Sequence, residues 1–282
     1  MTGAVAVVTD STACLDGDVA TSCGIHVVPL RVVIGAGSHD DTSHAGMDVL
    51  AAQRDGVPLT TSRPPPARFS EVYARAAAAG AAGIVSIHLS GRISGTVVSA
   101  RLAAAGAPVP ATVVDSRSIG AGLGLTVLAA ATAARVGLSL SEVAGAAVRR
   151  SAHLRSVFCL TTLDHLLRGG RMSAVTLLGA TLGVKPLLHI VDGRIVPLEK
   201  VRTMARAVTR LEQLAVEFAA GCDTAPVDAV VQHLACGDRA AELAQRLSGR
   251  MPGLGSVRII EVGPVIAAHT GPGLLGVAVA AA

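Results

Sequence analysis

Four clusters of small polar and basic residues offer chemistry in this sequence. They are Thr60-Thr61-Ser62-Arg63-Pro64, Ser90 through Thr96, Leu167-Arg168-Gly169-Gly170-Arg171-Met172 and His269-Thr270-Gly271-Pro272-Gly273. The second cluster is the most informative. An apolar run, Gly83 to Leu89, reads as a buried strand, breaks into two Ser-Gly pairs and restarts as a helix through Ala100–Ala105. Ser94, Gly95 and Thr96 then stand at a helix start, where unpaired N–H groups and the positive dipole end favour an anion. Binding groups of open α/β sheets gather at the carboxyl ends of strands, where the first two clusters fall. The His269 cluster is expected to open a C-terminal helix, which would put the imidazole near another helix N-terminus. Taken alone, that cluster reads equally as a helix cap with a satisfied histidine.

Two catalytic readings compete with a plain anion seat. Ser94, His269 and either Asp115 or Asp228 give a serine hydrolase order, Ser…Asp…His. The nucleophile elbow opposes it, because Gly91-Arg92-Ile93-Ser94-Gly95 puts glycine directly after the serine instead of two places on. The run Gly120-Ala121-Gly122-Leu123-Gly124 suggests a nucleotide loop. Its third glycine comes one place early and follows a fourth strand, so close helix–sheet packing explains it better. Asp10, Ser11 and Thr12 end the first strand, where capping the next helix is the simpler role.

The elements that would position these groups follow from hydrophobic patterning. Strand-like runs at Ala4–Thr9, Ile25–Ile34, Gly83–Leu89 and Thr112–Asp115 alternate with helical patterns at Pro66–Ala79, Gly95–Ala105 and Gly120–Val136. This alternation indicates a largely parallel sheet covered by helices on both faces. A change of texture from about Leu140 indicates a second α/β domain with a mixed sheet, starting at roughly Ser151. The expected domains are 1–150 and 151–282. In the second, Lys185–Ile190 and Arg194–Leu198 flank an Asp192-Gly193 hairpin signal. A long helix over Arg202–Ala220 follows, then strands at Asp228–Leu234 and Ser256–Val262 around a helix at Arg239–Leu247. The uncharged stretches Ser118–Ala134 and Val262–Ala282 are interrupted by glycine or proline and suit buried helices better than membrane spans.

Composition narrows the function classes. The 282 residues are 51% hydrophobic but only 1% aromatic, so Ala, Val, Leu and Ile must pack the core. Of the 24 basic residues all but Lys185 and Lys200 are arginine, scattered along the chain, and the net charge is only +4. With one Tyr, three Phe and no Trp there is no stacking platform for nucleic acid. The five cysteines lack disulfide-frame or zinc-ligand spacing, which points to reduced, mostly buried thiols in a cytoplasm.

Taken together, Val7-Val8-Thr9-Asp10-Ser11-Thr12, Thr61-Ser62-Arg63-Pro64, Ile93-Ser94-Gly95-Thr96, Asp115-Ser116, Gly169-Gly170-Arg171-Met172, Lys185-Pro186, Lys200-Val201-Arg202 and His269-Thr270-Gly271-Pro272-Gly273 resemble the DegV family. These are fatty-acid-binding proteins that serve as the acyl-binding subunit of bacterial fatty acid kinase. The pieces run in family order from residue 5 to the C-terminus. The resemblance implies two α/β domains with a long-chain fatty acid buried between them. Thr61 and Ser94 would hold its carboxylate with His269 close by, and Ser62, Gly95, Thr96 and Thr270 would complete the ligand-binding set. It also implies a lipid carrier with no catalytic residue, cofactor or metal of its own. The kinase's catalytic subunit would phosphorylate the bound carboxylate to an acyl phosphate for phospholipid synthesis, in the cytoplasm and with transient membrane-surface contact. Arg171 and Arg202 would face that kinase and its nucleotide, where cations spread developing charge. The sequence departs from the family pattern at Arg63, where glutamine is usual, at Ile93, where leucine is usual, and at Met172, where isoleucine is usual.

Overall fold

The computed structural model describes residues 4–42, 44–172, 185–222 and 226–281. Short runs rich in Val and Ile form its first sheet: β1 (Val5–Asp10), β2 (Ile25–Val28), β6 (Gly83–His88) and β7 (Ala111–Asp115). They lie in the order β2-β1-β6-β7, and every pairing is parallel. Parallel strands need crossovers and covered faces. Helices α3 (Pro66–Ala78) and α4 (Thr96–Ala104) cover one face, against Val8, Val28 and Ile84. Helices α5 (Ala121–Arg135) and α6 (Leu140–Ala152) cover the other, against Val7, Val85 and Ile87. The alternation of Val7 and Val8 between two cores is the period-2 signature of a strand buried on both sides.

One expected strand is in fact two. The run Ile25–Ile34 splits at Pro29, which has no N–H to give to a ladder. Its second half, β3 (Arg31–Ile34), leaves the parallel sheet and pairs antiparallel with β4 (Gly37–Asp40) and β5 (Leu59–Ser62). This small third sheet carries Thr61.

The second large sheet contains β8 (Leu154–Cys159), β9 (Lys185–Val191), β10 (Arg194–Val201), β11 (Val227–His233), β12 (Leu254–Glu261) and β13 (Leu275–Ala281). Its order is β10-β9-β8-β13-β11-β12, antiparallel except between β11 and β12. Helices α8 (Met204–Ala220) and α9 (Gly237–Arg250) pack against it. The hairpin between β9 and β10 turns at Asp192 and Gly193, with φ of 48° and 77°. Two successive positive φ values are what an Asp-Gly hairpin turn requires. The architecture is therefore α/β with a parallel and a mixed sheet, as the sequence indicates.

The C-terminal segment corrects an expectation. Residues 275–281 form a fully buried strand, not a helix, and β13 lies between β8 and β11 near the middle of the sheet. A run of Ala, Val and Gly without charges has no polar face to reveal its period, so a doubly buried strand and a buried helix look alike. The helix nearby is instead α10 (Pro264–Thr270). His269 accordingly sits in the last turn of α10 and not at a helix start.

Helix α5 touches β1 and β6 of the parallel sheet and also β8, β11 and β13 of the mixed one, so both sheets share one continuous core. Gly124 permits this approach, since a Cβ there would lie 2.7 Å from the Ala13 carbonyl oxygen. The glycine run thus serves packing. At the other end, buried Ser90 donates its hydroxyl to the Gly193 carbonyl at 2.7 Å, which ties the Ser90–Thr96 turn to the hairpin. Because β13 is central, removing residues 275–282 should abolish the cooperative thermal transition of the whole chain. A truncated protein that melts like the full chain by circular dichroism would contradict this placement.

Candidate functional site

Helix α10 brings the site together, and three contacts fix it. Asp41 Oδ1 accepts the Val265 N–H at 2.9 Å, satisfying a donor in the helix's first turn. Gln53, on α2 (His44–Arg54), donates to the Ala267 carbonyl at 2.8 Å. At the opposite end, His269 Nε2 and Thr61 Oγ1 are 2.7 Å apart, a hydrogen bond between residues 208 positions distant in sequence. On β5 successive side chains alternate, so half-buried Thr61 turns to α10 and exposed Ser62 turns away.

Behind Thr61 and His269 runs a narrow cavity of about 60 Å³, taken as the space open to water centres. Its walls are apolar: Leu30, Leu89, Ile93 and Ile119 come from the N-terminal half, and Phe158, Leu166, Ile190, Ile195 and Ile266 from the C-terminal half. The polar groups on its lining include Thr61, Ser94, His269, Thr270, Gln232 and Arg171. Several of these are already engaged. Thr270 donates to the Ile266 carbonyl and Gln232 accepts the Ala121 N–H, each at 3.0 Å.

The Ser94 turn forms as the sequence indicates, between β6 and α4. Ser94 Oγ lies 2.9 Å from Thr96 Oγ1 and accepts the Thr96 N–H at 3.3 Å. Only Ser94 of this trio lines the cavity. Thr96 is fully buried, and Gly95 is covered by the Arg63 guanidinium. Arg63 thus stands at the edge of the site with an exposed side chain.

The resemblance implies that Arg171 faces a kinase, which would turn its guanidinium outward. Its side chain is instead half-buried in the cavity wall and donates from Nη1 to the Gly169 carbonyl. Arg202 is exposed, in the turn between β10 and α8, and does not join the cavity lining. The structure therefore assembles Thr61, Ser94, His269, Thr270 and Arg171 around one void and leaves Ser62, Gly95, Thr96 and Arg202 off its lining.

The electrostatics of the site centre on His269. Burial pushes its imidazole from the ordinary 6.5 down to about 4, and the nearby Arg171 and His165 charges push in the same direction. His269 is therefore neutral at physiological pH. No carboxylate is among the groups that shift it. This bears on the hydrolase alternative, which needs an acid behind the histidine. Asp115 accepts from the Gly91 and Arg117 amides, and Asp228 pairs with Arg150 and Ser256. His269 Nε2 meets Thr61, while Ser94 meets Thr96, so this serine and histidine do not form a nucleophile–base pair.

A Ser–His–Asp chain does occur elsewhere, in Ser86, His88 and Asp10. Ser86 Oγ to His88 Nε2 is 2.7 Å and His88 Nδ1 to Asp10 Oδ2 is 3.0 Å, with Tyr73 donating to Ser86 at 2.8 Å. All four residues are fully buried. Asp10 also accepts the Leu89 and Thr12 amides at 3.0 and 3.1 Å. The network braces the strand ends beneath the Ser94 turn. Among the described residues no cluster of His, Cys, Asp and Glu is arranged for a metal ion, and no helix is long and apolar enough to cross a membrane. Of the five free cysteines only Cys159 is buried, Cys23 is exposed and the rest are half-buried.

These features, an apolar slot with a polar rim between a parallel and a mixed sheet, are those of a ligand-binding α/β protein. The model of the family described as "Uncharacterised protein, DegV family" matches residues 4–282, and the chain belongs to that family. A DegV domain-containing protein of Streptomyces coelicolor is 50% identical over 277 residues, covering 98% of each chain. The structure described as fatty acid binding of a DegV family protein from Thermus thermophilus superposes with a TM-score of 0.91 at 33% identity, covering 99% of this chain and 100% of that one. DegV from Bacillus subtilis, described as a fatty acid binding protein, gives a TM-score of 0.90 at 30% identity over 99% and 100% of the two chains.

The depressed His269 pKa has a consequence for stability. Unfolded, the ring takes up a proton near pH 6.5; folded, it resists protonation until about pH 4. Its contribution is therefore complete above pH 6.5 and lost as pH falls toward 4, on the order of 3 kcal/mol at most. His269→Gln should flatten the fall in urea-unfolding stability between pH 6.5 and 4 relative to the native protein. Parallel stability–pH curves would show that His269 is not held neutral.

Proposed function

We propose that this chain binds one long-chain fatty acid, with the hydrocarbon in the apolar slot and the carboxylate at Thr61, Ser94 and His269. The observation that carries the reading is the composition of the cavity lining: mostly branched aliphatic side chains, with Thr61, Ser94 and neutral His269 among its few polar groups and Arg171 as the charged residue among the described ones. Two relatives at 30% identity or more, described as fatty-acid-binding proteins, support the same ligand class. Residues 1–150 and 151–282 act in this reading as two units meeting at the ligand.

The energetics divide in the same way. Each buried methylene contributes roughly 0.8 kcal/mol, so a long chain gains on the order of 10 kcal/mol before the costs of association. The head group needs direction more than force. With the ring proton on His269 Nε2, the imidazole donates to Thr61 Oγ1, and the threonine hydroxyl proton is left to point at the carboxylate. Ser94 offers a second hydroxyl. Arg171 adds positive potential from the wall while its Nη1 stays on the Gly169 carbonyl. A carboxylate held by hydroxyls keeps its nucleophilic lone pairs, which a bidentate arginine would occupy.

That retained nucleophilicity suits presentation to a separate kinase. A carboxylate oxygen would bond to the terminal phosphorus of a nucleoside triphosphate, the phosphoanhydride bond would break, and the nucleoside diphosphate would leave. The product is an acyl phosphate still seated in the carrier. Arg202, exposed beyond the cavity, is free to meet the kinase.

Ser94→Ala and Thr61→Val should each weaken fatty acid binding by about 1–3 kcal/mol without altering the fold, because a buried acceptor loses its donor. Lipid-exchange titration checks this, and unchanged affinity in both would move the carboxylate elsewhere. Arg202→Ala should bind lipid normally yet form acyl phosphate more slowly with the kinase; equal rates would remove its role.

A further inference from the structure

The apolar slot borders a second cavity on the side away from Thr61 and His269. On one face of β8, Phe158 lines the slot, while Ser156 and Leu154 line a cleft of about 770 Å³. Alternate residues of a strand share a face, so Ser156 lies one step, roughly 7 Å, beyond Phe158. Ile190 lines both cavities, and the consecutive residues Ile119 and Ser118 line the slot and the cleft in turn. The proposed carboxylate end lies in the other direction. There α7 (Asp164–Arg168) follows the C-terminal end of β8, and the Gly169 that closes it stands against the His269 ring. A chain seated by its carboxylate therefore points its far end at the cleft.

Two observations mark the place where cleft and slot meet. The β8–β9 ladder runs from Cys159–Leu187 to Val157–His189 and stops there, although both strands go on. The strands thus part where Ser156 and Ile190 would have been opposite. Beside this split, the hydroxyl oxygens of Ser118 and Ser156 are buried and have no hydrogen-bond partner among the described residues. They converge on Gly122 in the first turn of α5, where a Cβ would lie 2.3 and 2.8 Å from them. Buried hydroxyls are nearly always paired, and an unpaired one costs free energy. Two of them at the end of an apolar slot call for an oxygen atom from a ligand.

Charge in the cleft wall is balanced, which selects the kind of oxygen. Arg117 faces Asp192 at 3.9 Å, and Asp115 accepts the Gly91 and Arg117 amides. Arg155 donates from Nη1 to the Leu154 carbonyl, and its guanidinium lies over the Phe218 ring. Burial and the Arg155 charge hold His189 toward its neutral form. A hydroxyl suits these surroundings better than a second carboxylate, and it can both donate and accept.

We propose that the protein takes long-chain fatty acids carrying a hydroxyl at the end remote from the carboxylate, with Ser118 and Ser156 as the residues that select it. The inference rests on the fatty acid reading, because a chain anchored at Thr61, Ser94 and His269 is what delivers its far end to these serines.

The test titrates the whole chain with the even-numbered acids from dodecanoate to octadecanoate, each beside its ω-hydroxy counterpart. At the length that spans the slot, the hydroxy acid should bind about five-fold tighter than its parent, the effect of one net hydrogen bond. Ser118→Ala/Ser156→Ala should reverse that order, because the ligand hydroxyl is then buried without a partner. Affinity for the parent acid should stay unchanged, and each single variant should lose part of the preference. The ω-diacid of the same length should bind more weakly than the hydroxy acid. A native protein that binds no hydroxy acid more tightly than its parent would overturn the selection. So would a preference that survives in the double variant, or a diacid that outbinds the hydroxy acid. A native protein that binds none of the series would remove the fatty acid reading as well.

Discussion

The hydrogen bond between Thr61 and His269 joins a strand of the small antiparallel sheet to the last turn of α10, and it closes one end of an apolar cavity. Burial and neighbouring cations keep the imidazole uncharged, so this closure is made without a buried ion pair. A protonated histidine at the same position would instead pair by charge with a carboxylate ligand, at the cost of burying the ion. The remaining architecture can be understood as support for that bond. Asp41 and Gln53 anchor α10 at its start and along its side, while β3 and β5 hold Thr61 opposite its end.

The cavity walls come from both halves of the chain, which makes the contact between the halves a functional constraint as well as a structural one. Helix α5 spans it, the Ser90–Gly193 hydrogen bond pins the Ser94 turn to the β9–β10 hairpin, and Gln232 receives the first amide of α5. Uncharged polar groups make two of these ties directly. A core packed almost entirely from aliphatic side chains has few shape-specific aromatic anchors, so such hydrogen bonds fix the relative placement of the layers.

Much of this was legible in the sequence, and the failures have physical causes. The passage from Gly83 to Ala105 shows its strand, its turn and its helix because a continuous apolar run, two Ser-Gly breaks and a helical restart leave little ambiguity. The Asp192-Gly193 turn was equally plain. Pro29 was present to be read, yet the valines and isoleucines on both sides disguised two strands of different sheets as one. Residues 275–281 misled because burial on both faces erases periodicity. The Gly169-Gly170 pair before Arg171 marks a turn but says nothing of the direction its side chain takes. His165 and Gln53 gave no sequence signal at all; they reach His269 only through the packing of α7 and α2 on α10.

The proposed function makes one claim of the cavity: a single acyl chain fills the slot and ends at Thr61, Ser94 and His269. Native mass spectrometry of the gently purified protein tests it most directly. The account expects a mass increment of one long-chain fatty acid per chain, released on denaturation and diminished in Thr61→Val. A chain that carries no lipid, and gains none on incubation with free fatty acid, would contradict it.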